Sequence, residues 1–201
     1  MKSKQLLTLA ILSMSICNVF GQDLPRPITH LIKKLHKKGA DTILIYTSGC
    51  GGCEIKNKPV NCNCLDREAI SDVYLIFKLK GELYREEFTC CKESNLIEID
   101  ETSSIPYFLS LKDMLKKKDK FYSQLSKNKQ FLPPISTDSF YEQIVLVVPD
   151  KSYEVGLNAS QRYEDYKIWK QYFWVEDEIK LVDFVRKDLG MRVTHTSTPI
   201  D

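Results

Sequence analysis

Six cysteines fall in three tight pairs, Cys50-x-x-Cys53, Cys62-x-Cys64 and the adjacent Cys90-Cys91, and a seventh, Cys17, stands alone near the start of the chain. Paired cysteines can cross-link a chain, exchange disulfides with a substrate, or bind a soft metal. An even count in an exported chain favours cross-links, because an oxidising compartment lets disulfides persist. A bridge between the neighbours Cys90 and Cys91 would strain the peptide joining them, so both are expected to bond back into the 50–64 stretch. That stretch is rich in Gly, Asn and Lys and poor in apolar residues. It cannot bury itself, and bridges that restrict the unfolded chain would pin it, at about 2–4 kcal/mol each. The expectation is a disulfide cluster of Cys50, Cys53, Cys62, Cys64, Cys90 and Cys91.

Two other chemistries use the same residues. Thr42 to Thr47, TILIYT, runs through Ser48-Gly49 into CGGC, and Ile105-Pro106-Tyr107-Phe108-Leu109 places an Ile-Pro before an apolar run. These two short pieces resemble thioredoxin-like proteins. The resemblance implies a thiol–disulfide oxidoreductase in which Cys50 is the thiolate nucleophile, its pKa lowered at a helix N-terminus, and Cys53 resolves the mixed disulfide. The residues after the motif, EIKNKPVNCNCL, contain Pro59 and repeated Asn and read as loop rather than amphipathic helix. Cys50, Cys53, Cys62 and Cys64 could instead supply four thiolates to a structural zinc, although the C-x-C spacing is cramped.

Other catalytic constellations lack parts. His30 and His36 are six residues apart on an expected helix and do not share a face, and His195 lies near the C-terminus. There is no H-E-x-x-H, P-loop or G-x-G-x-x-G pattern. Asp66, Glu68, Asp100 and Glu101 sit in polar stretches where solvation explains them. Asn158-Ala159-Ser160 is a formal glycosylation sequon, but Asn158 with Gln161 also resembles a capping box. No cofactor is expected.

The compartment follows from residues 1–21. Lys2 and Lys4 precede the apolar run LLTLAILSMSI, and Val19-Phe20-Gly21 offers a small residue for cleavage before Gln22. The run is too short to span a bilayer, which takes about 20 apolar residues. Secretion or export to a periplasm is the expectation, without a transmembrane segment after cleavage. Lipid anchoring at Cys17 is not expected, because Ile16 is bulky where such sites take a small residue. The whole chain carries 29 Lys+Arg and 27 Asp+Glu; removing 1–21 takes Lys2 and Lys4 and no acid, leaving 27 of each sign. A neutral chain gives no reason to expect nucleic acid as partner. An unknown protein or small molecule is the remaining class.

The elements that must position the cysteines come from periodicity. Ile28, Leu31, Ile32 and Leu35 define a helix from Pro27 to Lys38, stopped by Gly39, with Lys33, Lys34, Lys37 and Lys38 on a solvated face. Strands are expected at 42–47, 73–79, 82–88, 96–99, 143–148 and 153–157, with Lys80-Gly81 as a hairpin turn. A helix is expected from Ser103 with a partial stripe of Phe108, Leu111, Leu115, Tyr122 and Leu125, followed by a polar loop over 126–139. The chain beyond Asn158 reads as helical, with Tyr163, Tyr166, Trp169 and Phe173 as a core stripe, then Ile179, Val182, Val185 and Leu189 before Gly190. This order lacks regular βα alternation. It predicts an α+β fold with a mixed or mainly antiparallel sheet covered by C-terminal helices and a Cys-rich loop. The domain is expected over 22–193, with 194–201 as a tail. Leu44, Tyr46, Leu75, Phe77, Leu146, Val148, Trp169, Ile179 and Val185 are the expected core. The functional expectation is an exported, non-catalytic binding or structural domain stabilised by disulfides.

Overall fold

A computed structural model describes residues 26–50, 70–88, 95–135, 140–149 and 151–191. Six strands form one sheet: β1 (Thr42–Cys50), β2 (Ile70–Leu79), β3 (Glu82–Phe88), β4 (Asn95–Ile99), β5 (Phe140–Val148) and β6 (Lys151–Asn158). Their order is β4-β3-β2-β1-β5-β6, and every neighbouring pair is antiparallel. The α+β class with an antiparallel sheet is therefore present. Lys80 and Gly81 both take positive φ in the β2–β3 turn, at 53° and 96°, the two-residue geometry whose twist suits a hairpin.

Period-2 alternation sends side chains to two cores. Leu44, Tyr46, Ile76, Ile144, Leu146, Val155 and Leu157 face one side of the sheet. There they meet Ile105 and Phe108 of α2 (Ser104–Ser110) and Leu181, Val182 and Val185 of α5 (Val175–Asp188). Ile43, Ile45, Val73, Leu75, Phe77 and Val145 face the other side and pack on Ile32 and Leu35 of α1 (Arg26–Lys37). The C-terminal helix does cover the sheet, but Leu75 and Phe77 belong to the opposite core under α1. Val148 and Ile179 are only partly buried; the other expected core residues are buried.

Two helical expectations need correction. The helix from Ser103 breaks at Leu111 into α2 and α3 (Lys112–Lys127). The apolar stripe is buried as far as Leu115, but Tyr122 is exposed and Leu125 half-buried, since α3 runs on past Leu115 as a mostly polar helix. Beyond Asn158 the chain is not helical throughout. A π turn (Ser160–Glu164), a single turn α4 (Tyr166–Trp169) and a non-helical 170–174 precede α5. The change of period breaks the aromatic stripe: Trp169 is buried, while Tyr163 and Phe173 are 42% and 50% exposed. Trp174, outside that stripe, is buried in its place and forms a third cluster with Trp169 and Val175, flanked by Phe121 and Tyr172.

Three helices end alike. In each, an amide bonds back over five residues: Ala40 to the Leu35 carbonyl, Gln130 to Leu125 and Met191 to Arg186. The residue before it takes positive φ: Gly39 at 97°, Lys129 at 52° and Gly190 at 72°. This is the Schellman stop, which favours glycine because no Cβ meets the backbone.

Candidate functional site

The strand ends that lead into the cysteine segments share one edge of the sheet. Cys50 is the last residue of β1, and its backbone pairs with Phe140 of β5. Gly49 pairs with Ile70 at the start of β2, across a bulge at Ser48/Gly49. Val73 pairs with Thr47 on one side and Phe88 on the other. β1 and β3 therefore run the same way, about 9–10 Å apart with β2 between them. Phe88, two residues before Cys90, lies level with Thr47, three residues before Cys50. Cys53, Cys62, Cys64, Cys90 and Cys91 lie outside the described residues, as do Asp66, Glu68, His195 and the 1–21 and 194–201 segments. Among the described residues no three of His, Cys, Asp and Glu gather in a way that could hold a metal ion.

The structural setting implied by the thioredoxin resemblance is not the one found. The strand following β1 is its antiparallel neighbour, not the return of a βαβ unit. Pro106 lies in the first turn of α2 and does not lead into a strand. His36, in the last turn of α1, has its Nδ1 2.9 Å from the Ala40 carbonyl just beyond the helix. Asp100 and Glu101 are exposed. At the expected capping box, the Asn158 amide donates to Gln161 Oε1 and the Ser160 amide to Asn158 Oδ1, each at 2.9 Å.

The charged chemistry of the described residues is internal, and the sequence reading missed it. Glu142 is buried on the α5 face of β5, where Oε1 accepts from the Tyr46 hydroxyl at 2.5 Å and from Arg186 Nε at 2.8 Å. Arg162 of the π turn lies 3.6 Å from Oε2 of Glu142 and also binds Asp183 of α5. Burial and then the Glu142 carboxylate push the Tyr46 phenol far above its ordinary value, so it stays a donor. Burial pulls the Arg186 guanidinium down, but Glu142 and Tyr46 outweigh it and the net shift is upward. The groups pair with one another and join β1, β5, the π turn and α5, although the buried Arg162 Nη1 makes no hydrogen bond among the described residues. They present neither a free base nor an activated nucleophile. The signal was the phase of FYEQIVLVV: Glu142 shares its alternation with Ile144 and Leu146, so a core position carries a charge.

A second buried carboxylate, Glu178, has no exposed surface. Its Oε1 pairs with Lys118 of α3, while Oε2 has no hydrogen-bond partner among the described residues. Lys118 Nζ also lies over the rings of Trp174 and Tyr122, at 5.6 and 5.8 Å. Burial pushes the Glu178 carboxyl up to about 7, against the pull of Lys118. A carboxyl titrating near neutrality would suit acid–base work, but Glu178 is closed off. The open groove lined by Lys117, Lys120, Phe121, Gln124 and Phe173 does not include it. Asp188 at the end of α5 caps another helix: its carboxylate accepts from the amides of Ser103 and Ser104 and from the Thr102 hydroxyl, at 2.6–3.1 Å.

Against this geometry, no protein-family model, no curated protein and no solved structure matches the chain.

Proposed function

We propose that the chain is an exported, non-catalytic binding or structural domain whose cysteine-bearing edge is cross-linked by disulfides. Residues 1–21 would direct it to a periplasm or the exterior. The observation that carries this reading is the shared edge: the ends of β1 and β3, which lead to Cys50 and to Cys90-Cys91, lie on one rung pattern two strands apart. A direct bridge needs Cα atoms usually within about 4.4–6.8 Å, less than the two-strand spacing. The intervening segment with Cys62 and Cys64 would therefore supply the partners. The antiparallel return after β1 and the helical setting of Pro106 weigh against the oxidoreductase reading.

The test is the thiol state of protein isolated from its own compartment. Trapping with a maleimide before and after reduction should find the six cysteines outside 1–21 oxidised, and the protein should not accelerate insulin reduction by dithiothreitol. Turnover that is lost in Cys50→Ser would establish the oxidoreductase instead. Six free thiols with one bound zinc would establish the metal site.

A further inference from the structure

The third aromatic cluster reaches the surface along one side of α3. Lys117, Lys120, Phe121 and Gln124 follow one another at i, i+3, i+4 and i+7, so they form one stripe of the helix. With Phe173, from the non-helical 170–174, they line an open groove of ≈ 470 Å³. Its apolar wall is aromatic. The Phe121 and Phe173 rings stand at 90° with centroids 6.4 Å apart, and the buried Trp174 ring lies 5.2 and 5.0 Å from them. Phe173 keeps 50% of its surface exposed. The charge of the groove is of one sign. Lys116 pairs with Asp113 and Lys118 with Glu178, whereas the exposed Lys117 and Lys120 have no ion-pair partner among the described residues. The other acid of α3, Asp119, falls outside the stripe.

We infer that this groove binds a small amphiphilic anion, its charged head between Lys117 and Lys120 and a short apolar body along Phe121 and Phe173. Two observations select that chemistry. Like charges three residues apart on a helix repel one another, and an anion held between the two lysines removes that cost. Beyond the lysines the lining is mostly apolar, which favours a body without charge. The size follows from the helix. From Lys117 to Gln124 the stripe runs about 10 Å, at about 1.5 Å per residue, which suits an eight-carbon chain or a single aromatic ring. The volume falls within the range of small-molecule sites, about 300–1,000 Å³. A concave wall made by one helix stripe and one ring suits a free molecule rather than a flat bilayer. The site uses none of the cysteines, so it goes beyond the cross-linked edge proposed above and its test is separate from the thiol measurement.

Octanoate, below its micelle concentration, is the probe; 1-octanol supplies the body without the charge and acetate the charge without the body. The chain has 2 tryptophans, Trp169 and Trp174, and both belong to the cluster under the groove, so their emission reports occupancy. Octanoate added to the full chain should change that emission saturably and shift the amide resonances of 117–124 and 173. It should bind at least about tenfold tighter than octanol or acetate, and weaken as salt rises. The double variant Lys117→Gln, Lys120→Gln should lose at least about tenfold in octanoate affinity at an unchanged urea midpoint. The charge-reversed pair Lys117→Glu, Lys120→Glu should prefer octylamine to octanoate. Phe173→Ala should weaken octanoate about fivefold; should it fail to fold, the lysine variants, altered only at exposed positions, decide alone. The inference is overturned by a chain that shows no saturable octanoate binding or that binds octanol as tightly. It is equally overturned by a double glutamine variant that keeps its affinity, or by resonance shifts confined to other residues. Binding to anionic phospholipid vesicles without binding of free octanoate would also overturn it, in favour of a membrane surface.

Discussion

Glu178 and Glu142 are both buried carboxylates, yet their surroundings give them different behaviour. Glu142 has three cationic or hydroxyl neighbours. Among the described residues Glu178 pairs with Lys118 alone and has one oxygen without a hydrogen-bond partner. With its pKa raised to about 7, native Glu178 holds a proton more tightly than the unfolded chain does. Its stabilising share is complete below the unfolded value near 4.5 and is lost as pH rises through 7. The loss is at most about 3 kcal/mol. Urea unfolding at pH 5 and pH 8 should show it, and Glu178→Gln should flatten the difference. Lys118→Ala should be most damaging at pH 8, where it leaves a buried carboxylate unpaired. For Glu142→Ala, Arg162 and Arg186 lose their shared anion inside the core. That change should lower stability by about 3–5 kcal/mol at neutral pH. Replacing Tyr46 with Phe removes only one hydrogen bond to a charged group and should cost about 1.5–3 kcal/mol. Sequence reasoning could have marked both acids, because Glu142 alternates with core residues and Glu178 stands three and four residues before Leu181 and Val182. Neither could be assigned a partner, since Arg186, Arg162 and Lys118 reach them from elements distant in sequence.

At the scale of elements, local chemistry was legible and the joints between elements were not. Strand periodicity, the Lys80-Gly81 turn and the glycine stops at 39 and 190 follow from short-range rules and are present. The break at Leu111 and the π turn after Asn158 carry no Pro or Gly to announce them. The contacts that fix their neighbourhoods are long-range: Asp188 caps the start of α2 from the far end of the chain. Arg162 is drawn inward to Asp183. The end of α3 shows what a local rule still predicts. Lys129 occupies the left-handed position that Gly39 and Gly190 fill at the other two stops. A non-glycine residue there costs about 1–2 kcal/mol. Lys129→Gly removes that cost while loosening the unfolded chain, and the net gain should be about 0.5–1 kcal/mol, read as a higher urea midpoint at unchanged slope.

For the whole molecule, β1 is the seam. On one side it holds the β2-β3-β4 meander, and on the other the β5-β6 hairpin. The cysteine reading could not be placed from sequence because it depends on this arrangement, which brings the ends of β1 and β3 to one edge. The seam also sets a timetable. Thr42–Cys50 is made early, whereas Phe140–Val148, which pairs along its other side, comes about a hundred residues later. At synthesis rates of roughly 5–20 residues per second, the nascent β1 waits roughly 5–20 seconds with one row of backbone groups unpaired, and Leu44 and Tyr46 wait longer still for Leu181, Val182 and Val185 of α5. A chain ended at Ile135 freezes that moment. It should scatter light and lack the near-ultraviolet dichroism of the full chain. A chaperone that guards the newborn protein should therefore bind first around Ile43–Tyr46, and let go only when Phe140–Val148 arrives.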